Sequence, residues 1–190
     1  MSNIKVSLEM ILDELKEIAG RLDEQQVEAL KNKIKSADRI FLAGAGRSRL
    51  MISCLTMRLM QTGYTAYLVG EVVTPAIKEG DLLIIASGSG RTGSLLGMAK
   101  KAKETGAELG LITINSDSPI GALADAIVCI DAATTKNVSG EKKASVQPGA
   151  SSFEQSVLLL GDALILELMA ENRTLEEGNK GLMELHANLE

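Results

Sequence analysis

The sequence predicts a three-layer α/β fold in which a doubly wound, five-stranded parallel sheet lies between helices. Two observations predict it. Short apolar runs rich in β-branched residues alternate with helical patterns through the middle of the chain, which is typical of a parallel sheet with helices on both faces. The 190 residues suit one domain with a substantial core. Because crossovers between parallel strands are right-handed, few topologies are possible, and we expect a flavodoxin-like strand order.

A pair of helices is predicted before the sheet. The first covers Leu8–Ala19, with Ser7 as N-cap and Gly20 as stop, and the second covers Asp23–Ser36. Apolar residues recur at helical spacing in both, so each helix should turn one face inward. The residues expected to face inward are Leu8, Ile11, Leu12, Leu15 and Ile18 in the first helix, and Val27, Leu30 and Ile34 in the second.

The alternating strands and helices follow. The predicted strands are Arg39–Ala43, Thr65–Val69, Leu82–Ala86, Leu109–Ile114 and Ala126–Ile130. The helical patterns between them are Arg49–Gln61, Gly93–Thr105 and the short Pro119–Leu123. Sequence periodicity therefore assigns five strands to one sheet.

The last third of the chain changes character. Asp131–Ala150 is polar and reads as a long loop, which in a compact domain is usually functional. A long helix, Ser152–Glu171, follows, and Thr174–Leu189 forms a last short helix or tail. Because Val157–Leu168 is apolar on almost every face, we expect another subunit to cover part of it. The expected single domain, 1–190, thus divides into N-terminal helices (1–36), α/β core (37–131), active-site loop (132–150) and C-terminal helices (151–190).

Composition excludes several classes of function. The net charge of -5 and pI near 5.1 leave no basic footprint for nucleic acid. Aromatic residues are only 2%, which argues against base stacking. Cys54 and Cys129 lie far apart among apolar residues, so we expect two reduced thiols, no disulfide and no metal site. Neither a signal peptide nor a membrane span is predicted, and a cytoplasmic protein follows by default.

A loop rich in hydroxyls and glycines, Ser87–Ser94, lies between a predicted strand and a predicted helix. In open α/β sheets, ligands bind at the carboxyl ends of the strands. Glycines allow close backbone approach, and the helix start offers free N–H groups to an anion. The sequence therefore predicts a phosphate site; the alternative is a flexible turn with an N-cap. The candidate phosphate ligands are Ser87, Gly88, Ser89, Gly90, Arg91 and Thr92.

A second glycine turn, Gly44–Ser48, follows the first strand. It partly matches a dinucleotide fingerprint, and Glu71 stands where the ribose-binding acid would be, but Arg49 replaces the third glycine. We expect instead that Gly46, Arg47 and Ser48 contact the same small ligand as the first loop. The alternative for Ser48 is a simple N-cap.

Together, two such turns in a doubly wound domain resemble the sugar isomerase (SIS) domain family. Three motifs resemble a branch of it that acts on hexulose phosphates: Ser-Gly-Ser-Gly-Arg-Thr at 87–92, Ser-Ser-Phe-Glu-Gln at 151–155, and the C-terminal His-Ala-Asn-Leu-Glu. The resemblance covers essentially the whole chain. Many family members carry Glu two residues after the loop Thr; here that residue is Ser94, so the base lies elsewhere.

This resemblance implies conversion of D-arabino-3-hexulose 6-phosphate to fructose 6-phosphate, in formaldehyde fixation by the ribulose monophosphate pathway. It also implies a homo-oligomer, with a tetramer as the expected state. Moving a ketone from C3 to C2 requires a 2,3-enediol(ate), and one carboxylate can carry both proton transfers. Neither a redox cofactor nor a metal is needed if hydrogen-bond donors stabilise the enediolate.

Two residues are candidate catalytic groups. Glu154 matches the glutamate of the family motif; the alternative is a capping box with Ser151, three residues earlier. His186, the only histidine, is a candidate proton shuttle or oxygen polariser in its own or a neighbouring subunit's site, or else a helix-end residue. Arg47 and Arg91 are candidate ligands of phosphate or sugar oxygens, or else solvated loop cations.

Two other functions remain open at this point. One is isomerisation of another sugar phosphate, such as a pentose or heptose phosphate. The other is a non-catalytic SIS module that senses a sugar phosphate. The acidic balance and the short stretch before the first strand disfavour a DNA-binding regulator.

Overall fold

The structure is a computed structural model that describes residues 3–133, 145–171 and 175–189. Its helices are α1 (Ile4–Ala19), α2 (Glu24–Ser36), α3 (Arg47–Gln61), α4 (Gly93–Glu104), α5 (Ser152–Ala170) and α6 (Leu175–Glu184). Its strands are β1 (Ile40–Gly44), β2 (Ala66–Leu68), β3 (Leu82–Ala86), β4 (Glu108–Thr113) and β5 (Ala126–Cys129). None of the helices in these ranges is both long and apolar enough to cross a membrane.

All five strands form one parallel sheet in the order β2-β1-β3-β4-β5. Successive side chains of a strand point to opposite faces, and β1 shows the result. Ile40 and Leu42 join a core cluster with α2, α3 and α5, whereas Phe41 and Ala43 join a second cluster with α4. The predicted three layers and flavodoxin-like strand order are therefore confirmed.

The first helix differs from the prediction. It begins at Ile4, because the Asn3 side chain accepts a hydrogen bond from the Lys5 amide at 3.0 Å; Ser7 is therefore not the N-cap. Of the face expected to be inward, Leu8 and Leu12 are 54% and 56% exposed. The residues of α1 that reach the core are Leu15 and Ile18, in its C-terminal half. The apolar face of α1 therefore extends from the buried Leu15 and Ile18 to residues that the rest of the described chain leaves exposed.

One connection differs from the prediction, and another is only partly described. Pro119–Leu123 contains only a single 3₁₀ turn, Gly121–Leu123, tied by the Gly121 amide to the Ser118 hydroxyl at 3.1 Å. The loop expected at 132–150 borders α5 at 145–150, but residues 134–144 lie outside the described ranges. A role for that part of the loop stays a prediction.

A buried ion pair fixes the amino ends of the central strands. The Asp81 carboxylate accepts hydrogen bonds from Arg39 Nε at 2.9 Å and Nη2 at 2.6 Å, and from the Lys78 amide at 2.8 Å. Burial alone would raise the pKa of Asp81, but these hydrogen bonds and the positive charge of Arg39 outweigh it and hold the pKa below its usual value. The pair aligns β1 with β3, whose carboxyl ends carry the candidate site.

Candidate functional site

The candidate site lies where the strand order reverses, at the carboxyl ends of β1 and β3. Gly44, the last residue of β1, stands opposite Ala86, the last residue of β3. The two loops that leave these residues therefore run side by side and lead into the N-termini of α3 and α4. Such a switch point is where open α/β sheets bind ligands, and two helix N-termini there favour an anion.

Backbone hydrogen bonds shape the loop between β3 and α4. The Ser87 amide donates to the Ile112 carbonyl at 3.0 Å, and the Gly90 amide donates back to the Ser87 carbonyl at 3.1 Å. Gly90 has φ +60°, and a side chain there would collide with Ser118. The tight turn that results requires glycine and brings the loop backbone close to any ligand.

Most of the predicted phosphate ligands lie at the surface of this loop. Ser89 and Thr92 are half-buried and Arg91 is exposed, whereas Ser87 is only 4% exposed. Thr92 caps α4 without a side-chain hydrogen bond, so its hydroxyl is not used by the helix. The Ser89 hydroxyl accepts from the Arg91 amide at 3.3 Å, which leaves its proton to donate to an anion. Loop and helix start together offer several donors to one phosphate.

Replacing Gly90 by Ala should destabilise the folded protein by about 1–3 kcal/mol, because alanine at positive φ is strained and its methyl group would displace Ser118. Gly97→Ala is the matched control: nothing lies within 4 Å of an added Cβ there, and alanine favours the helix by up to about 1 kcal/mol. Urea unfolding measures both effects. Equal stability of the two variants would contradict the described turn.

The loop between β1 and α3 is built differently. Gly46, at φ +56°, is the N-cap of α3, and Ser48 lies within the helix and is buried, so the N-cap alternative for Ser48 is wrong. Arg49 donates to the Val69 carbonyl at 2.6 Å and to the Glu71 carboxylate at 2.7 Å. Since Glu71 already pairs with Arg49, the structure does not favour a ribose-binding role for that carboxylate.

The first turn of α5 lies beside both loops. The Phe153 ring packs so near Gly88 that an added Cβ would be 3.4 Å from its Cδ1 atom. Glu154 Oε2 lies 3.7 Å from Arg47 Nε at the start of α3. The structure thus brings Glu154, Arg47 and the candidate phosphate loop to one edge of the sheet.

No capping box forms at this turn. The Ser151 side chain makes no capping hydrogen bond and donates to the Pro148 carbonyl at 2.6 Å. Glu154 has 19% side-chain exposure, and its Oε2 atom is buried without a hydrogen-bond partner among the described residues. A buried carboxylate oxygen without a hydrogen bond is costly, so the capping alternative does not account for Glu154.

Two polar neighbours of Glu154 were not predicted individually as site residues. Ser152 Oγ and Gln155 Oε1 are also buried without hydrogen-bond partners. Polar residues in a helix that is apolar on almost every face are a signal that could have identified them. The first turn of α5 therefore concentrates polar atoms that lack a partner within the described chain.

His186 lies elsewhere. It follows Leu185, which lines a pocket together with Thr62 and Tyr64 just beyond the C-terminal end of α3. Glu154, in the first turn of α5, lies beside Arg47 at the N-terminal end of α3. Because α3 has 15 residues, its ends are roughly 20 Å apart at about 1.5 Å per residue. The structure does not bring His186 to the Glu154 of its own chain.

Within the described ranges, no group of three or more acidic, histidine or cysteine residues could hold a metal ion. Cys54 and Cys129 are both free thiols.

Comparison with known proteins gives a consistent result. The SIS domain family matches residues 33–159. A 3-hexulose-6-phosphate isomerase of Bacillus subtilis is 43% identical over 95% of both chains. One of Mycobacterium gastri is 39% identical over 99% of this chain and 92% of its own. A Methanococcus jannaschii protein, whose crystal structure was said to infer 3-hexulose-6-phosphate isomerase function, aligns with TM-score 0.77 and 31% identity over 98% of both chains.

Proposed function

The chain belongs to the SIS domain family, and from that premise we propose that it is an isomerase converting D-arabino-3-hexulose 6-phosphate to fructose 6-phosphate. Several relatives that match it over nearly their whole length are 3-hexulose-6-phosphate isomerases. A non-catalytic sensing module is not favoured, because those full-length relatives are enzymes. The proposed pathway is formaldehyde fixation through ribulose monophosphate, and the proposed location is the cytoplasm.

One observation carries the proposal: a partly buried carboxylate lies beside the glycine- and hydroxyl-rich loop at the switch point of the sheet. With the phosphate held by the loop at 87–92, the carbon chain of the substrate can extend toward the first turn of α5. Phe153 packs against Gly88 of this loop, and Glu154 is the next residue of α5. The carboxylate is thereby placed for proton transfer at carbons next to a carbonyl.

In the proposed reaction, Glu154 removes the proton from C2 of the 3-ketose. The electron pair forms the C2–C3 double bond, and the carbonyl oxygen at C3 becomes an enediolate oxygen. The proton of the C2 hydroxyl passes to the oxygen on C3, and Glu154 returns the carbon-bound proton to C3 as the oxygen on C2 becomes the new carbonyl. Donors from the helix N-termini and nearby hydroxyls stabilise the developing negative charge.

The substrate needs no ring opening in this direction. A five-membered ring closed on a C3 ketone would use O6, which carries the phosphate, so the 3-ketose is open-chain. The site therefore needs no separate acid to open a ring. One carboxylate that reaches both C2 and C3 on one face is sufficient.

A direct assay tests the proposed function. The purified protein is mixed with 3-hexulose 6-phosphate, and fructose 6-phosphate formation is followed by NMR. Pentose and heptose phosphates are assayed in parallel. Turnover of the hexulose phosphate at least 100-fold faster than of the other two supports the proposal. Faster turnover of a pentose or heptose phosphate, or no turnover, contradicts it.

Exposed apolar stripes support a homo-oligomer, with a tetramer as the proposed state. On α1, Ile4, Leu8 and Leu12 recur every four residues and are 82%, 54% and 56% exposed. On α5, Leu159 and Leu166 are also about half exposed. Contiguous apolar helix faces of this kind mark interaction surfaces. We propose that a second copy covers them, and that His186 acts in a neighbouring subunit's site.

Replacing Leu159 by Asp should dissociate the oligomer, because assembly would bury a charge without a partner. In the separate chain the position is about half exposed, so the dissociated variant should remain folded. Light scattering at micromolar concentration measures the mass, and circular dichroism checks the fold. Lys100→Asp, on the exposed surface of α4, is the control and should leave the mass unchanged. A monomeric wild type would contradict the assembly.

A further inference from the structure

Arg47 has a partner that its predicted role does not explain. Arg47 was predicted to be a ligand of phosphate or sugar oxygens, or else a solvated loop cation. In the structure its Nε atom lies 3.7 Å from Glu154 Oε2, and this is a contact between the first turns of α3 and α5. The Arg47 side chain is 59% exposed and that of Glu154 is 19% exposed. Arg47 therefore reaches the carboxylate from the solvent side, whereas Glu154 is largely buried.

The charge of Glu154 needs this partner. Its Oε2 atom is buried and accepts no hydrogen bond, and an ionised oxygen in that setting is unfavourable without a nearby positive charge. A phosphate dianion bound by Arg47 would lie against the same carboxylate, and like charges at that range repel. The loop at 87–92 is the better phosphate site, because it has its own hydrogen-bond donors. Arg47 thus belongs with the carboxylate rather than with the phosphate.

We propose that Arg47 is a positioning residue: it holds the Glu154 carboxylate in its orientation between the two loops, and it does not bind the phosphate. This rests on the proposed isomerase function. Helix α3 is anchored behind it, because Arg49 is tied to Val69 and Glu71. The guanidinium therefore projects from a fixed helix start toward a carboxylate on another helix. Loss of the guanidinium should misplace the base while leaving the phosphate loop intact.

Kinetics separate this role from phosphate binding. Arg47→Met should lower kcat by about 10–100-fold, within the range for a misplaced catalytic group, with KM and the Kd for inorganic phosphate within about threefold of wild type. Arg47→Lys, which keeps the charge, should recover at least part of kcat. Lys100→Met removes a cation from the exposed surface of α4 and should change neither parameter. A Kd for phosphate raised tenfold or more at unchanged kcat would overturn the proposal.

A stability cycle tests the pairing without any assay of activity. Arg47→Met should lower the thermal midpoint by about 1–4 °C in wild type, because it leaves the Glu154 charge uncompensated. In the Glu154→Gln background the same substitution should have no effect or raise the midpoint. Equal losses in both backgrounds would overturn the pairing. An inactive wild type with the predicted coupling would refute the isomerase function and the catalytic role of Arg47, but leave the ion pair standing.

Discussion

Replacing Glu154 by Gln should lower kcat by about 100-fold or more, the usual range for loss of a general base. Glutamine keeps the shape of the side chain but cannot accept the C2 proton. Substrate affinity and the thermal midpoint should change little, because no capping box depends on this side chain. Steady-state turnover of 3-hexulose 6-phosphate, together with calorimetric binding of fructose 6-phosphate, measures the two effects separately.

Glu167→Gln is the matched control, since it makes the same change on an exposed residue of the same helix and should retain full activity. Substrate deuterated at C2 gives an independent check. A primary isotope effect is expected in wild type if proton abstraction limits turnover. Near-normal activity of Glu154→Gln would refute the proposed base, though not the isomerase function, and would make His186 of a neighbouring subunit the next candidate.

Replacing both Ser89 and Thr92 by Ala should weaken fructose 6-phosphate binding far more than it lowers stability. A hydrogen bond to a charged group contributes about 1.5–3 kcal/mol, which is roughly 10–150-fold in Kd for each hydroxyl. The folded protein loses little, because the Thr92 hydroxyl does not cap α4 and the Ser89 hydroxyl makes one long local bond.

Calorimetric titration with fructose 6-phosphate and with inorganic phosphate tests this effect, and the two ligands should lose affinity in parallel. Thr62→Ala is a control that removes a hydroxyl from the C-cap of α3, at the opposite end of that helix from the candidate site. It should leave both affinities unchanged. Unchanged affinity in the double variant, with folding intact, would remove the loop at 87–92 from the site.

Local patterns were sufficient to predict most of the fold. The strand β3 was predicted to the residue, because a fully buried parallel strand is a continuous apolar run bounded by turn signals. The hydroxyl and glycine loop was predicted for a similar reason, since its composition is unusual over eight residues. The first helix was less well predicted: Asn3 offered an equally good cap, and periodicity does not reveal how far a neighbour covers Leu8 and Leu12.

Contacts between distant segments could not be predicted. Arg47 and Glu154 are separated by more than 100 residues, and their approach depends on how α5 packs against α3. The position of His186 likewise depends on where α6 lies against the end of α3. Sequence alone identified these as candidate residues, and the structure shows which of them lie close together.

The close packing of Phe153 against Gly88 limits the distance between the loop at 87–92 and the first turn of α5. A methyl group at position 88 would lie 3.4 Å from both the Phe153 ring and the Ile114 side chain, and any larger side chain would push the first turn of α5 outward. The absence of a side chain at position 88 therefore determines how close the loop at 87–92 lies to the first turn of α5. On the proposed function, that distance determines which carbon of the substrate, counted from the phosphate, lies next to the Glu154 carboxylate.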